Sequence, residues 1–116
     1  MATNLSNKRV AILATDGVEQ EELTDPQKAL QDAGAEVHVI APKSGEIRAW
    51  NHKDWGDALA VDKTVDEAQA SDYDALVLPG GVMNPDQLRQ NEQAVSFTKA
   101  FADANKPIAA ICHAPC

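Results

Sequence analysis

Apolar residues in this chain gather in short, mostly unbroken runs separated by stretches of helical spacing. The segments RVAILAT (9–15), EVHVIAP (36–42), DALVLPGG (74–81) and KPIAAIC (106–112) are too short for helices and predict strands buried on both faces. Between the first two, Leu23, Pro26, Leu30 and Ala33 recur at helical spacing. Thr24 or Asp25 ahead of Pro26 signals a helix start, and Gly34 stands where a left-handed cap belongs. The segment TVDEAQASDY (64–73) opens on a capping pattern and predicts a short helix. Asn84-Pro85-Asp86 predicts the start of a long helix with a core stripe of Ala94, Phe97, Phe101 and Ala104. Only the segment 43–63 breaks the rhythm. Gly45 and Gly56 punctuate it beside Trp50 and Trp55, which suggests a small irregular hairpin or excursion. Alternating strands and helices imply an α/β class, with right-handed crossovers and a parallel sheet covered on both faces. Residues 1–7 read as a disordered lead-in, and no repeat or low-complexity run follows.

Composition narrows this picture. A chain of 116 residues is one domain at most, and with 4% aromatic residues its core is expected to be Val, Ile, Leu and Ala. The net charge of −8 and the scattered basic residues argue against nucleic acid or an anionic membrane surface as partner. MATNLSNKRV has no apolar core of a signal peptide, and no run approaches about 18 apolar residues. A cytoplasmic location follows as the expectation, with Cys112 and Cys116 reduced and no disulfide framework.

In such sheets chemistry collects at the carboxyl ends of the strands, where three features fall: DGVEQEE, PGGVMNPD and CHAPC. Cysteine ending a buried strand is commonly a small hydrophobe. A sharp strand-to-helix turn would instead lift the Cys112 thiol to the top of the sheet, where a helix N-terminus lowers its pKa. His113 is polar where a plain turn needs no imidazole. The two glycines after DALVL make a tight turn, or else let backbone N–H groups face developing negative charge. Asp16, Glu19, Glu21 and Glu22 form either a solvated acidic turn that favours the helix N-terminus, or a source of one carboxyl facing Cys112 with a raised pKa. Cys112, His113, Cys116 and the distant His52 fit no strong zinc spacing, so no metal is expected. His38 alternates within the second strand and reads as structural. A phosphate-binding ligand domain is disfavoured, because TDGVEQEE carries the wrong charge.

Taken together, KRVAILATDGVEQEELTDP, YDALVLPGGVMNPDQLR and KPIAAICHAP resemble the ThiJ/PfpI family. This is the intracellular protease I group of the class I glutamine-amidotransferase-like superfamily, which includes the parkinsonism-associated deglycase. The resemblance spans nearly the whole chain. It implies a flavodoxin-like three-layer sandwich with a mostly parallel sheet, of which residues 8–116 are the N-terminal part, truncated after the nucleophile elbow. It implies Cys112 as nucleophile and His113 as its partner. It also implies Glu22, aligned through EELTDP, as the acid contacting sulfur. Asp86 matches the acidic residue that reaches the histidine across a subunit interface in the protease branch. The amides of Gly80 and Gly81, with that of His113, would form the oxyanion hole. No cofactor is implied. The implied function is a stress-associated cysteine hydrolase acting on peptides or on reactive carbonyls of the methylglyoxal type, as a homodimer or higher oligomer. The alternative is a non-catalytic oxidative-stress sensor or holdase-like protein that uses oxidation of the same cysteine. The family commonly has glycine where this chain has Ala114, and a large residue where it has Cys116. Family members also continue into the elbow helix that lowers the thiol pKa.

Overall fold

A computed structural model describes residues 7–16, 18, 20–51, 54–79 and 92–110. The lead-in over 1–6, the helix start at Asn84-Pro85-Asp86 and the end of the fourth apolar run lie outside the described residues.

The four apolar runs become parallel strands: β1 (Arg9–Leu13), β2 (Glu36–Ala41), β6 (Ala75–Leu78) and β7 (Ile108–Ala110). A two-residue strand, β5 (Lys63–Thr64), adds to the outer side of β2, giving a five-stranded sheet ordered β5-β2-β1-β6-β7. The excursion is an antiparallel hairpin of β3 (Glu46–Asn51) and β4 (Asp54–Ala60), separate from that sheet. Its register slips once: Arg48 faces Ala58, but Trp50 faces Trp55, so Gly56 and Asp57 together oppose Ala49. Gly56 therefore sits in a bulge, where a residue without Cβ is easily accommodated.

Strand periodicity divides the core in two. Val10 and Ile12 of β1, Val37 and Val39 of β2, and Val77 of β6 point to one face, where they pack with Leu23, Ile47 and Ala49. Ala11, Leu13, Ile40 and Leu76 point to the other, against Ala94, Phe97 and Phe101. Helix α1 (Gln20–Asp32) with the hairpin covers the first face, and α2 (Glu92–Asp103) the second. The sandwich thus has three layers. The core is mostly Val, Ala, Ile and Leu, as expected, with a small aromatic group added. Tyr73, Phe97 and Phe101 stack edge to face on the α2 side, at centroid distances of 6.3 and 5.1 Å.

Three expectations are corrected. Helix α1 starts at Gln20, before the Thr24-Asp25-Pro26 signal, so Pro26 lies inside it. Full burial of Leu23 holds the first turn in place, and Thr24 Oγ1 donates to the Gln20 carbonyl at 3.0 Å. The segment 64–73 forms no α-helix. Its capping pair does form, Thr64 Oγ1 meeting Glu67 Oε1 at 2.8 Å. Only one turn follows, in which the Glu67 and Ala68 N–H groups both reach the Thr64 carbonyl at 3.1 and 3.0 Å, while the Val65 N–H docks on the Ala41 carbonyl at 2.8 Å. The segment ends in a 3₁₀ turn (Ala70–Asp72), whose Ala70 carbonyl, with that of Tyr73, accepts from Lys106 Nζ at 2.8 and 2.6 Å. Ala104 is exposed rather than part of the α2 stripe, since the helix stops at Asp103.

Both described α-helices end in the same cap. Gly34 (φ 99°) donates to Gln31 and Ala35 to Leu30 after α1; Asn105 (φ 58°) donates to Ala102 and Lys106 to Phe101 after α2. Each pair of bonds satisfies carbonyls that the helix leaves open, around a left-handed residue.

At the amino edge of the sheet the polar groups close on one another. Arg9 Nε and His38 Nε2 both reach Glu36 Oε2 at 3.1 Å, and His38 Nδ1 shares a 2.8 Å hydrogen bond with the Tyr73 hydroxyl. With Nε2 donating to the carboxylate, Nδ1 is left to accept from the phenol. His38 is thus structural. Burial first, then the charges of Asp72 and Asp62, push the Tyr73 phenol up to about 12.

A phenol raised from 10.0 to about 12 stabilises the fold below pH 10 and loses that contribution as pH climbs through 12. Tyr73→Phe is expected to cost about 1 kcal/mol near neutrality and to flatten the fall of the urea midpoint over that alkaline window. In the same assay Gly34→Ala is expected to cost about 1 kcal/mol, whereas Asn105→Gly holds stability or gains a few tenths.

Candidate active site

The strand order places a switch point between β1 and β6. From β1 the chain passes through α1 to β2 on one side, then returns to β6 on the other. In open α/β sheets a crevice forms beyond the carboxyl ends at such a divergence of connections. Ile12 pairs with Val77 and Leu78 with Ala110, so β1, β6 and β7 end at nearly the same level. Gly80 and Gly81 follow Leu78 by two and three residues, and Cys112 and His113 follow Ala110 by the same intervals. Pro79, the step between Leu78 and the glycines, is buried. The strands that precede the predicted loops therefore end at one edge of the sheet.

Of the predicted site residues, Cys112, His113, Asp86, Gly80 and Gly81 lie outside the described residues. Glu22 is the third residue of α1, in the turn that begins at the crevice; its side chain is not among those described. His52 and Cys116 also lie outside them. Among the described residues no group of three His, Cys, Asp or Glu side chains could hold a metal ion, and no helix is long and apolar enough to cross a membrane.

The connection from β1 to α1 is the part of the site most fully described. It leaves the sheet with the Ala14 N–H donating to the Ile40 carbonyl at 2.9 Å, and turns where the Val18 N–H meets the Thr15 carbonyl at 3.2 Å. Thr15 and Val18 are buried. Asp16 is partly exposed, and both of its carboxylate oxygens are engaged. Its Oδ1 accepts the Arg48 backbone N–H at 2.7 Å and its Oδ2 pairs with Lys43 Nζ at 2.8 Å. Burial works against its charge, but the hydrogen bonds from Lys43 and Arg48 and the lysine's charge outweigh it, holding the carboxyl below its ordinary 3.8. Glu21 is exposed. Sequence reasoning grouped Asp16 with the other acids and gave Lys43 no role. The partners are remote along the chain and follow no periodic pattern, so only folding joins them.

The DJ-1/PfpI family matches residues 8–116. The chain is 40% identical over 109 residues to "Putative cysteine protease YraA" of Bacillus subtilis, covering 94% of this chain and 62% of that protein. It is 42% identical over 108 residues to General stress protein 18 of the same organism, covering 93% and 61%. To Protein/nucleic acid deglycase 2 of Escherichia coli it is 38% identical over 109 residues, covering 94% and 62%. The chain thus spans about three-fifths of the length of these curated relatives. Among solved structures, a two-domain protein of Anabaena variabilis with DJ-1/ThiJ/PfpI-like and ferritin-like domains superposes with a TM-score of 0.83 at 38% identity, covering 94% of this chain and 30% of that one.

A carboxyl whose pKa is lowered on folding stabilises the fold above its unfolded value and stops doing so as pH falls through the lowered one. The difference in urea midpoint between the wild type and Asp16→Asn is therefore expected to be full near neutrality and to close as pH falls below 3.8.

Proposed function

Because the chain belongs to the DJ-1/PfpI family, we propose that it carries the nucleophile of a stress-associated cysteine hydrolase acting on peptides or on methylglyoxal-type carbonyls. In this reading the Cys112 thiolate adds to a substrate carbonyl, and the displaced electron pair is held as an oxyanion by the amides of Gly80, Gly81 and His113. His113 and Glu22 move the proton between sulfur and leaving group. Asp86, from a second subunit, orients His113 in a homodimer or larger homo-oligomer, in a cytoplasmic setting without nucleic acid or membrane. No cofactor enters the chemistry.

The observation that carries this reading is the level ending of β1, β6 and β7, since the connections bearing Glu22, Gly80 and Cys112 all leave from that one edge. The names of two relatives, a cysteine protease and a deglycase, support the two substrate classes. A second reading is favoured by the 42% identity to a protein named only for general stress. There Cys112 is a sensor thiol, oxidised to sulfenic acid without turnover.

In the protein that carries this chain, Cys112→Ser is expected to abolish turnover of methylglyoxal and of a reporter peptide; unchanged turnover would place the activity elsewhere. Glu22→Gln is expected to move the pH–rate profile of Cys112 alkylation, and an identical profile removes Glu22 from the site. Peroxide titration followed by intact mass separates the two readings. Oxidation at Cys112 with neither substrate consumed favours the sensor.

A further inference from the structure

Resting on that reading, we infer that Asp16 is a positioning residue for Glu22. It clamps the β1–α1 connection to the β3–β4 hairpin and so sets how the Glu22 carboxyl meets the Cys112 sulfur.

The first turn of α1 lacks one of its internal hydrogen bonds. Pro26 has no N–H to give to the Glu22 carbonyl, so the helical ladder is interrupted at the residue the site needs. External anchors must compensate. Two are apolar: Val18 and Leu23 are fully buried in one cluster with Ile47 and Ala49 of the hairpin. The polar anchor is Asp16, with one oxygen on the Arg48 N–H and the other on Lys43 Nζ.

The hairpin is suited to be the fixed partner, although it shares no ladder with the main sheet. Just past β4 it is tied to β2, where the Asp62 N–H donates to the Val39 carbonyl at 2.8 Å and the Val39 N–H to Asp62 Oδ2 at 2.7 Å, and its bulge is braced by Arg48 Nε donating to the Gly56 carbonyl at 3.3 Å. A carboxylate held at both oxygens by a backbone donor and an ammonium resists rotation. Sliding of the hairpin would therefore carry the connection, and α1 with it. The connection spans only residues 14–19, so little slack separates the clamp from Glu22.

The test is the pH–rate profile of Cys112 alkylation by iodoacetamide in a Cys116→Ser background. Asp16→Ala, Asp16→Asn and Lys43→Met are each compared with and without Glu22→Gln, with far-UV circular dichroism confirming the fold. Asp16→Ala and Lys43→Met are expected to change the rate at neutral pH about threefold or more, in the same direction as Glu22→Gln, and to add little once Glu22 is already Gln. Asp16→Asn, which still offers an oxygen to the Arg48 N–H, should recover part of the wild-type profile. Lys43→Met alters one exposed side chain and keeps the test valid if Asp16→Ala unfolds. Three results overturn the inference. If Glu22→Gln moves the profile while the Asp16 and Lys43 variants do not, the inference fails alone. Equal effects with and without Glu22→Gln make Asp16 merely structural. If Glu22→Gln is silent, the acid of the proposed site is lost and the inference falls with it.

Discussion

Parallel pairing of β1, β2, β6 and β7 is the constraint from which the rest of the molecule follows. Parallel strands need a crossover at every step, and crossovers cover the faces of the sheet, so no face of the central strands meets water. That is why Ile12 and Leu13, adjacent in sequence, are both buried although they point to opposite layers. The same geometry sends every connection out of the carboxyl edge and returns it at the amino edge. Polar chemistry is excluded from the middle and confined to the two ends.

The ends are built differently. At the amino edge, Arg9, Glu36, His38 and Tyr73 satisfy one another, while Lys106 takes two backbone carbonyls and lies 5.7 Å from the Phe101 ring centroid. A network of this kind ties the strand starts to one another, with the Arg9 and Glu36 side chains about half exposed. At the carboxyl edge β1, β6 and β7 end at nearly the same level. There the described part of the β1–α1 connection is tied to the hairpin through Asp16 and Val18.

Several local signals lose to tertiary contacts, each for an identifiable reason. Pro26 marks a helix start when read alone, yet burial of Leu23 extends α1 toward Gln20 at the cost of one backbone hydrogen bond. The Thr64–Glu67 capping pair forms, but only one turn follows it, docked on the edge of β2 through the Val65 N–H, and the segment closes in a 3₁₀ turn beside which Lys106 takes the Ala70 and Tyr73 carbonyls. Propensity is worth tenths of a kcal/mol per residue, whereas a buried leucine is worth about 2.

The strand runs, the left-handed turn at Gly34, the α/β class and the family resemblance were legible in the chain, because each rests on near neighbours: successive apolar residues, one cap, one motif. The candidate acid and thiol were legible as residue types in motifs. Which connections share an edge was not contained in any one segment; it came from the order β5-β2-β1-β6-β7, which pairs residues far apart in sequence. The alliance of Asp16 with Lys43 and Arg48, the aromatic stack under α2 and the refusal of 64–73 to form a helix were likewise decided by folding. Periodicity records which face a residue prefers, while the partner it meets there depends on how distant elements dock.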